Sequence, residues 1–519
     1  MRRWSPRTRR IVLAIAIVCA MFWLASRAID EPLRHQLERR VNASLTGYTA
    51  TIGHAHIRFL GLGLDLRDVT VVQNSLPNPP VIYIPSWKTT VQWRALLSGA
   101  LVGDVTFTRP AIYVTLPQAR VEAKDPTPTA DHGWQEAVES IYPLKINLFK
   151  IDDGTLDYWD TGDLPPVRLR RFSVRAENIR NVRPVGGKYP SPFELEAVMA
   201  DGADLTFRGR ADFLATPHAT LRGSMGLRDL ALTGLKPALR HMNLDVERGK
   251  LAASGEVEYT EKQLRLDFER VALEGAKIDY VIRSAEDAEK VGEAAKATTT
   301  AKAQAENRVD VKEAIVGKST LGIVDRTATP PYRVFVSETD IRVANFSNQR
   351  DARRGSATVR GRFMGTGPLQ VDADFAPGAK QADFRVNVRV EDVDLPAMND
   401  VLRAKADVDV TKGRLSVFSE MTVRNGRVDG YVKPLFADVN VYDSKQDAGK
   451  NPLHQVYEAA VGAAATVLTN RPRDEVATIT NLSGPVESPN TSTWDMVIGL
   501  LRNAFVKAIM PGLEPERRQ

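Results

Sequence analysis

The sequence predicts a mostly β protein: an N-terminal transmembrane helix, then a long, twisted, largely antiparallel β-sheet curled into an open groove or an elongated sandwich, and a C-terminal amphipathic helix. Three observations predict this fold class. The middle of the chain repeats itself at long range, many of its segments alternate apolar and polar residues, and one uninterrupted apolar stretch lies near the N-terminus. Apolar residues at 43% and charged residues at 26% indicate a folded chain.

The repeat is visible as residue identities at a nearly constant separation along the chain. Thr155, Leu156, Asp160, Pro165, Pro166 and Arg168 recur with the same spacing as Thr320, Leu321, Asp325, Pro330, Pro331 and Arg333. Asp245, Val246, Gly249 and Leu251 recur in the same way as Asp409, Val410, Gly413 and Leu415, with a separation shorter by a single position. These identities predict two similar β modules, over residues 143–284 and 311–445. A duplicated β module is typical of an extended surface rather than a single pocket.

The N-terminus predicts a membrane anchor. Residues 1–10 form a basic cytoplasmic tail with five arginines and no acid, and residues 11–26 are predicted to form a transmembrane signal-anchor. The stretch is also the length of a cleavable signal-peptide core, but it ends in bulky and basic residues rather than at a small-residue cleavage site. The only cysteine, Cys19, lies within it, which excludes an intrachain disulfide. The anchor residues are Ile11, Val12, Leu13, Ile15, Ile17, Val18, Phe22, Trp23 and Leu24.

Residues 27–120 are predicted to form a helix followed by strands. Leu33, Leu37, Val41 and Leu45 recur every four residues among charges, which is helical spacing. The segments 57–60, 81–84 and 105–108 are short, rich in β-branched or aromatic residues and bounded by Gly, Pro or Asn, so they indicate strands.

The remaining segments connect or follow the modules. Residues 121–142 read as a linker with a short helix, residues 285–310 as an Ala/Lys/Glu-rich insertion, and residues 446–519 as a helical region in which 471–489 are irregular. Within it, residues 493–510 predict an amphipathic helix, which could dock on a membrane or a partner, or plug one end of the sheet. Its apolar face comprises Trp494, Val497, Ile498, Leu501, Phe505 and Ile509.

Two strands of the modules alternate most clearly. Leu264, Leu266 and Phe268 alternate with charged residues in the first module, and Phe384, Val386, Val388 and Val390 alternate with polar residues in the second. Such strands have one apolar face, which normally needs a covering layer. The modules contain little helical pattern to provide one. The apolar faces therefore either close on each other as a packed core or are filled by an apolar ligand, and the sequence leaves both open.

No pattern in the sequence predicts catalysis, a cofactor or a metal site. Nucleotide-binding, hydrolase and metalloprotease motifs are absent from the sequence, and the net charge of +6 depends largely on the N-terminal arginines, which argues against nucleic acid as a partner. His54 and His56 share a strand face without a third ligand and read as surface residues. Asp152, Asp153 and Gly154 read as turn residues, and Gly249 and Gly413 each predict a tight hairpin turn.

Several short segments, in this order after an N-terminal anchor, resemble the AsmA-like envelope proteins of diderm bacteria. They are Gly61–Val69, Trp93–Gly99, Arg109–Ile112, Lys150–Leu156 and Gly430–Leu435. The resemblance is to a domain-of-unknown-function branch of the superfamily that includes AsmA, TamB and YhdP. It implies an inner-membrane anchor with the bulk of the chain in the periplasm and a β-groove that carries phospholipid for outer-membrane biogenesis. It implies no catalytic residue.

On this resemblance, the two apolar faces are predicted to line a lipid groove: Leu264, Leu266, Phe268, Phe384, Val386, Val388 and Val390. The predicted partners are membrane phospholipids, together with inner- or outer-membrane proteins. The alternative function is a non-catalytic envelope assembly or scaffold protein that docks other membrane proteins. The oligomeric state is not predicted.

Overall fold

The computed structural model describes residues 29–58, 62–92, 102–124, 145–160, 166–179, 187–199, 201–213, 215, 219–260, 263–284, 307–349, 353–376, 383–406, 409–442, 475–477 and 480–485. Most of them form strands, which pair in a mixed sheet with few helices, so the mostly β prediction is confirmed. The chain divides into two compact units, residues 1–227 with 257–262, and residues 228–256 with 263–519.

Two predicted helices cannot be compared with this structure. The anchor over residues 11–26 and the amphipathic helix over residues 493–510 lie outside the described residues. Among the helices of the described residues, none has both the length and the apolar composition needed to cross a bilayer.

The first unit contains a helix followed by consecutive strands. Its elements are α1 (29–44), β1 (Tyr48–Arg58), β2 (Gly63–Gln73), β3 (Ile82–Val91), β4 (Val102–Thr108), β5 (Ala111–Thr115), α2 (Leu116–Lys124), β6 (Lys145–Trp159), β7 (Val167–Glu177), β8 (Ser191–Met199) and β9 (Asp204–Asp212). Strands β4 and β5 pair parallel with β6, and the other pairs given by register here are antiparallel. Strands β10 (Thr220–Ala231) and β11 (Leu244–Tyr259) have residues in both units.

The second unit continues the same pattern. Its elements are a 3-10 helix (Leu232–Leu235), α3 (Lys236–Arg240), β12 (Leu264–Ile282), β13 (Arg308–Asp325), β14 (Tyr332–Ser347), β15 (Gly355–Phe363), β16 (Gly367–Phe375), β17 (Phe384–Asp394), a 3-10 helix (Leu395–Met398), α4 (Asn399–Ala406), β18 (Asp409–Arg424), β19 (Arg427–Tyr442), β20 (Glu475–Ala477) and β21 (Thr480–Pro485). Strands β12 and β13 pair parallel, whereas the strands from β13 to β19 pair antiparallel in sequence order.

Two differences from the predicted organisation concern the C-terminal strands and the boundary between the units. Helix α2 runs to Lys124 and so lies partly in the segment predicted as a linker with a short helix. Strands β20 and β21 pair with β19, so residues 475–477 and 480–485 are not irregular. The boundary between the units falls inside the first repeat, because β12 pairs with β13 from Arg265 to Ile282 and so belongs to the unit that holds the second repeat.

Helix α1 covers the edge of strand β1. The amide of Asn42 donates to the carbonyl of Ala50 at 2.9 Å and accepts from its N–H at 2.7 Å. One turn earlier, Glu38 accepts from the N–H of Ile52 at 2.7 Å, and Arg34 donates to the carbonyl of Ile52 at 3.2 Å. These bonds satisfy backbone groups that an edge strand would otherwise leave free for another chain.

The adjacent face of α1 packs on the sheet. Leu37 and Val41, from the spacing that predicted the helix, are buried with Ile52, Leu66 and Trp87 in one cluster. The helix predicted from residue 31 to residue 45 is therefore confirmed, and its apolar face anchors it on β1–β3.

Replacing Asn42 with alanine should destabilise the protein by about 1–3 kcal/mol, because both backbone groups of Ala50 lose their partner in a part-buried position. Urea unfolding followed by circular dichroism measures the change. Arg39→Ala, on the exposed side of the same helix, is the matched control and should change stability by less than about 0.5 kcal/mol. Equal effects of the two variants would contradict the edge-sealing role.

The sequence repeat is also a repeat of secondary structure. Strands β6–β12 and β13–β19 each form seven strands, with a short helical insertion between the fifth and the sixth. The insertions are residues 232–240 and 395–406. The β6–β7 register shifts on both sides of Gly154, and the β13–β14 register shifts on both sides of Ser319, which is the equivalent position of the second copy. The two copies therefore share strand order and local irregularities.

Three predicted turns are β-bulges instead. Gly249 and Gly413 lie inside β11 and β18, with φ of 143° and 146°, and Asp153 lies inside β6 with φ of 56°. Positive φ suits a bulge as well as a turn, so the residue types alone could not separate them. A Cβ at Gly249 would lie 3.1 Å from Leu232 Cδ1, and one at Gly413 would lie 2.8 Å from Leu395 Cδ1. Each helical insertion thus packs against the bulge glycine of its own repeat.

The repeated aspartate at the end of β13 organises the loop to β14. Asp325 Oδ1 accepts from the backbone N–H of Thr327 at 2.9 Å and from its hydroxyl at 2.6 Å. Burial raises the pKa of Asp325, but these hydrogen bonds outweigh it and lower the pKa below its ordinary value. Burial, followed by the charge of Asp325, raises the pKa of Tyr332 to about 12.

These shifts predict a pH dependence of stability. The contribution of Asp325 should be complete above the unfolded pKa of about 3.9 and be lost as pH falls through the lower folded pKa. The contribution of Tyr332 should be complete below about pH 10 and be lost as pH rises through about 12. Asp325→Asn should therefore be less stable than the parent at pH 7, and the difference should shrink towards pH 3 in urea titrations. Asp374→Asn, at an exposed position, is the control and should change stability at pH 7 by less than about 0.5 kcal/mol.

Candidate functional site

The apolar face of strands β15–β19, in the second repeat, is closed by its own side chains. Phe384, Val386 and Val390 are 1%, 0% and 4% exposed, and Val388 is half-buried and packs against the same clusters. Phe384 and Val386 belong to a cluster with residues of β15, β16 and β18, namely Ala357, Phe375, Met421 and Val423. In this structure the β17 residues predicted to line a groove thus form a packed core, which is the alternative that the sequence left open.

A helical cover completes the closure. Leu395, Met398 and Leu402 of the second insertion belong to one buried cluster with Val390 and Val432 of the sheet. Helix α4 contacts both β14 and β18. At this end of the second repeat, the insertion supplies the covering layer that an apolar sheet face requires.

Strands β12, β13 and β14 carry apolar residues that are only half-buried. We call the following residues the apolar strip: Leu264, Leu266, Phe268, Val309, Val311 and Phe346. Leu266 pairs with Val309, Phe268 with Val311, and Val311 with Phe346. Within the described ranges, none of the six belongs to the three buried clusters. The strip therefore keeps apolar area in contact with solvent on three neighbouring strands.

A cleft of about 490 Å³ lies at this end of β12–β14. It is lined by Asp267, Phe268, Glu269, Arg308, Asp310, Val311, Lys312, Asn345, Phe346, Ser347 and Arg353. Three residues of the apolar strip are thus beside a band of charges. A site of this composition suits a molecule with an apolar and a polar part better than a purely polar substrate.

The charges of the cleft are mostly paired. Arg308 Nε donates to Asp310 Oδ2, the Ser347 hydroxyl donates to Asp310 Oδ1 at 2.6 Å, and Lys312 pairs with Glu269 at 3.2 Å. Burial raises the pKa of Asp310, but the bonds from Ser347 and Arg308 lower it below its ordinary value. These side chains provide a fixed polar border and no evident nucleophile–base pair.

The histidines singled out by the sequence lie on the surface of β1. His54 is 77% exposed and lies 3.7 Å from Asp68, and His56 lies 3.0 Å from Asp30 of α1. In the described chain, no group of three or more His, Cys, Asp or Glu residues is arranged to hold a metal ion. The anchor residues and the amphipathic-helix residues predicted as functional lie outside the described residues.

The sequence pattern missed two of the strands that form the strip. Val309 and Val311 alternate with charged residues just as Leu264 and Leu266 do, so the same pattern could have predicted that they share an apolar strand face. Phe346 stands alone at the end of β14, beside the positive φ of Asn345, so only the strand register identifies it.

Comparison with protein-family models gives no match to this chain, and comparison with curated proteins gives none either. The resemblance to AsmA-like envelope proteins therefore stays a prediction. What this chain does must be inferred from the apolar strip and its surroundings.

Substitution by tryptophan should have a larger effect on stability at the buried face of β17 than at the half-buried apolar strip. Val386→Trp should destabilise the protein by about 1–3 kcal/mol, because the site is fully buried and a larger ring overpacks it. Phe268→Trp should cost less than about 1.5 kcal/mol, because the ring is half-exposed and can extend into solvent. Urea unfolding of both variants measures the difference. A tolerated Val386→Trp would show that the second repeat is more open than its packing implies.

Proposed function

We propose that this protein binds the acyl chains of phospholipids on the apolar strip and transfers lipid across the cell envelope. It does so from an inner-membrane anchor, with its bulk in the periplasm, and supports outer-membrane biogenesis and integrity. The observation that carries the proposal is the apolar strip itself: six apolar residues on three neighbouring strands stay half-exposed, whereas the apolar residues of β17 are mostly buried.

The physical argument is the cost of leaving such a surface in water. Each methylene of an acyl chain that leaves water for an apolar surface contributes about 0.8 kcal/mol. An acyl chain is long enough to contact several strip residues at once, and strands lie about 4.8 Å apart, so a chain crossing β12–β14 meets all three. The paired charges beside Phe268, Val311 and Phe346 provide a polar border for a headgroup.

The scaffold alternative has less support in the described residues. A sheet docks a partner strand through a free edge, but the edge of β1 is occupied by Glu38 and Asn42 of α1. The predicted C-terminal helix, the other candidate docking element, lies outside the described residues. The apolar strip favours a lipid ligand over a folded partner, because its cleft is bordered by charges that already have partners.

A charge placed on the strip should remove bound lipid without unfolding the protein. In Phe268→Glu, a carboxylate would have to lose its water to remain under an acyl chain, which is strongly unfavourable. The full-length protein and its variants are purified in the same mild detergent, and lipid is extracted and counted by mass spectrometry per protein. We expect phospholipid with the parent protein and a several-fold loss in Phe268→Glu.

Thr358→Glu is the matched control. It adds the same charge at an exposed position of β15 and should keep the lipid content of the parent. Equal lipid in the parent and both variants would show that the lipid is held elsewhere, such as around the anchor, and would contradict the proposal. Capture of a stoichiometric protein partner with no strip-dependent lipid would favour the scaffold function.

A further inference from the structure

The two repeats have the same strand order but different accessibility. We infer that strands β15–β19 are the closed part of the second repeat: their apolar face is filled by their own side chains and by the insertion of residues 395–406, so a ligand on the apolar strip does not extend onto them. The identity of the ligand rests on the proposed function, whereas the closure itself rests on burial alone.

Equivalent positions near the end of each repeat show the difference. Phe268 in β12 lies beside Gly255 in β11, and Val432 in β19 pairs with Ser419 in β18. Val432 corresponds to Phe268, and Ser419 to Gly255, because each is separated from its counterpart by the same number of residues as Gly413 is from Gly249. Phe268 is half-buried. Val432 is 2% exposed and lies in the cluster that contains the insertion. The same place in the fold is therefore accessible in one repeat and covered in the other.

The fifth strand of each repeat gives a second, independent comparison. Asp229 in β10 and Asp392 in β17 both have positive φ inside the strand. Their separation in sequence is nearly the same as that between Gly249 and Gly413, so the two strands can be aligned on these aspartates. On this alignment Leu227 corresponds to Val390, which is 4% exposed and buried in the cluster that holds the insertion. Leu227 is half-buried.

The insertions explain part of the difference. The second one continues through Ala406 and buries Leu395, Met398 and Leu402. The first one ends at Arg240, where Leu239, the counterpart of Leu402, is only half-buried. Met242, in the turn that follows, is 63% exposed. The shorter insertion thus leaves the first repeat without an equivalent cover.

Cysteine labelling tests the closure without reference to lipid. Cys19 is the only cysteine, so single-cysteine variants can be made in a Cys19→Ser background of the full-length protein. Phe268→Cys and Leu227→Cys are compared with their counterparts Val432→Cys and Val390→Cys, using a small uncharged maleimide in isolated membranes. Because a buried cysteine reacts only through local opening, we expect Val432→Cys and Val390→Cys to react at least about tenfold more slowly than their counterparts. Equal rates within both pairs would overturn the inference.

Shortening a side chain of the cover should open the second repeat. Leu402→Ala, in the Val432→Cys background, should raise the labelling rate several-fold. Arg403→Gln, the neighbouring exposed residue, which pairs with Asp409, should leave that rate unchanged. Circular dichroism and the unchanged rate at Phe268→Cys exclude general unfolding. If Leu402→Ala leaves Val432→Cys protected, the cover is not what closes the repeat, and this part of the inference is wrong.

Lipid protection separates the closure from the proposed function. After detergent delipidation, added phosphatidylglycerol or phosphatidylethanolamine vesicles should slow labelling at Phe268→Cys and leave Val432→Cys as slow as before. Protection at both sites would overturn the closed end, because lipid would then reach strands β15–β19. Slow labelling only at Val432→Cys, with no lipid protection at Phe268→Cys, would support the closed end and contradict the proposed function.

Discussion

The fold depends on one constraint: a sheet with an apolar face must cover that face, and the described chain has few helices to do so. In the second repeat, residues from β15 to β18 pack against one another, and the insertion of residues 395–406 covers the rest. On β12–β14 the same requirement is only half met, because the apolar strip keeps part of its area exposed. The proposed lipid-binding surface is thus the place where the fold leaves this requirement incomplete.

Rows of bulges align across neighbouring strands and accompany this packing. Positive φ occurs at Gly275, Lys318 and Glu338 on β12, β13 and β14, at positions that lie next to one another in the register. A second row crosses β17, β18 and β19 at Asp392, Gly413 and Asp438. A bulge increases local twist and bends its strand, so bulges at adjacent positions bend neighbouring strands together. In the second row, this bend lies where Leu395 packs against Gly413.

The sequence predicted what depends on local pattern and failed where the outcome depends on neighbours. Helix α1 followed from the spacing of Leu33 to Leu45, and the β class from alternation. Gly249 and Gly413 were assigned to turns because glycine with positive φ serves turns and bulges equally, and only the pairing of the flanking strands distinguishes them. The apolar faces of β12 and β17 look alike in sequence. Their different burial depends on the residues that surround them, such as Met421 on the adjacent strand β18, which packs beside Val386.

The two copies differ in the partner of one repeated arginine. Arg168 and Arg333 are equivalent, but Arg168 pairs with Asp157 on β6 at 2.9 Å, whereas Arg333 pairs with Asp279 on β12 at 3.0 Å. Gly322 occupies the place of Asp157 in the second copy, and a Cβ there would meet the carboxylate of Asp279. The ion pair is kept, but it now joins the second repeat to the last strand of the first. Topology is therefore maintained by repeated residues, while side-chain size and insertion length determine which face stays open. This ion pair joins β12 to β14 across β13, and these are the three strands that carry the half-open apolar strip.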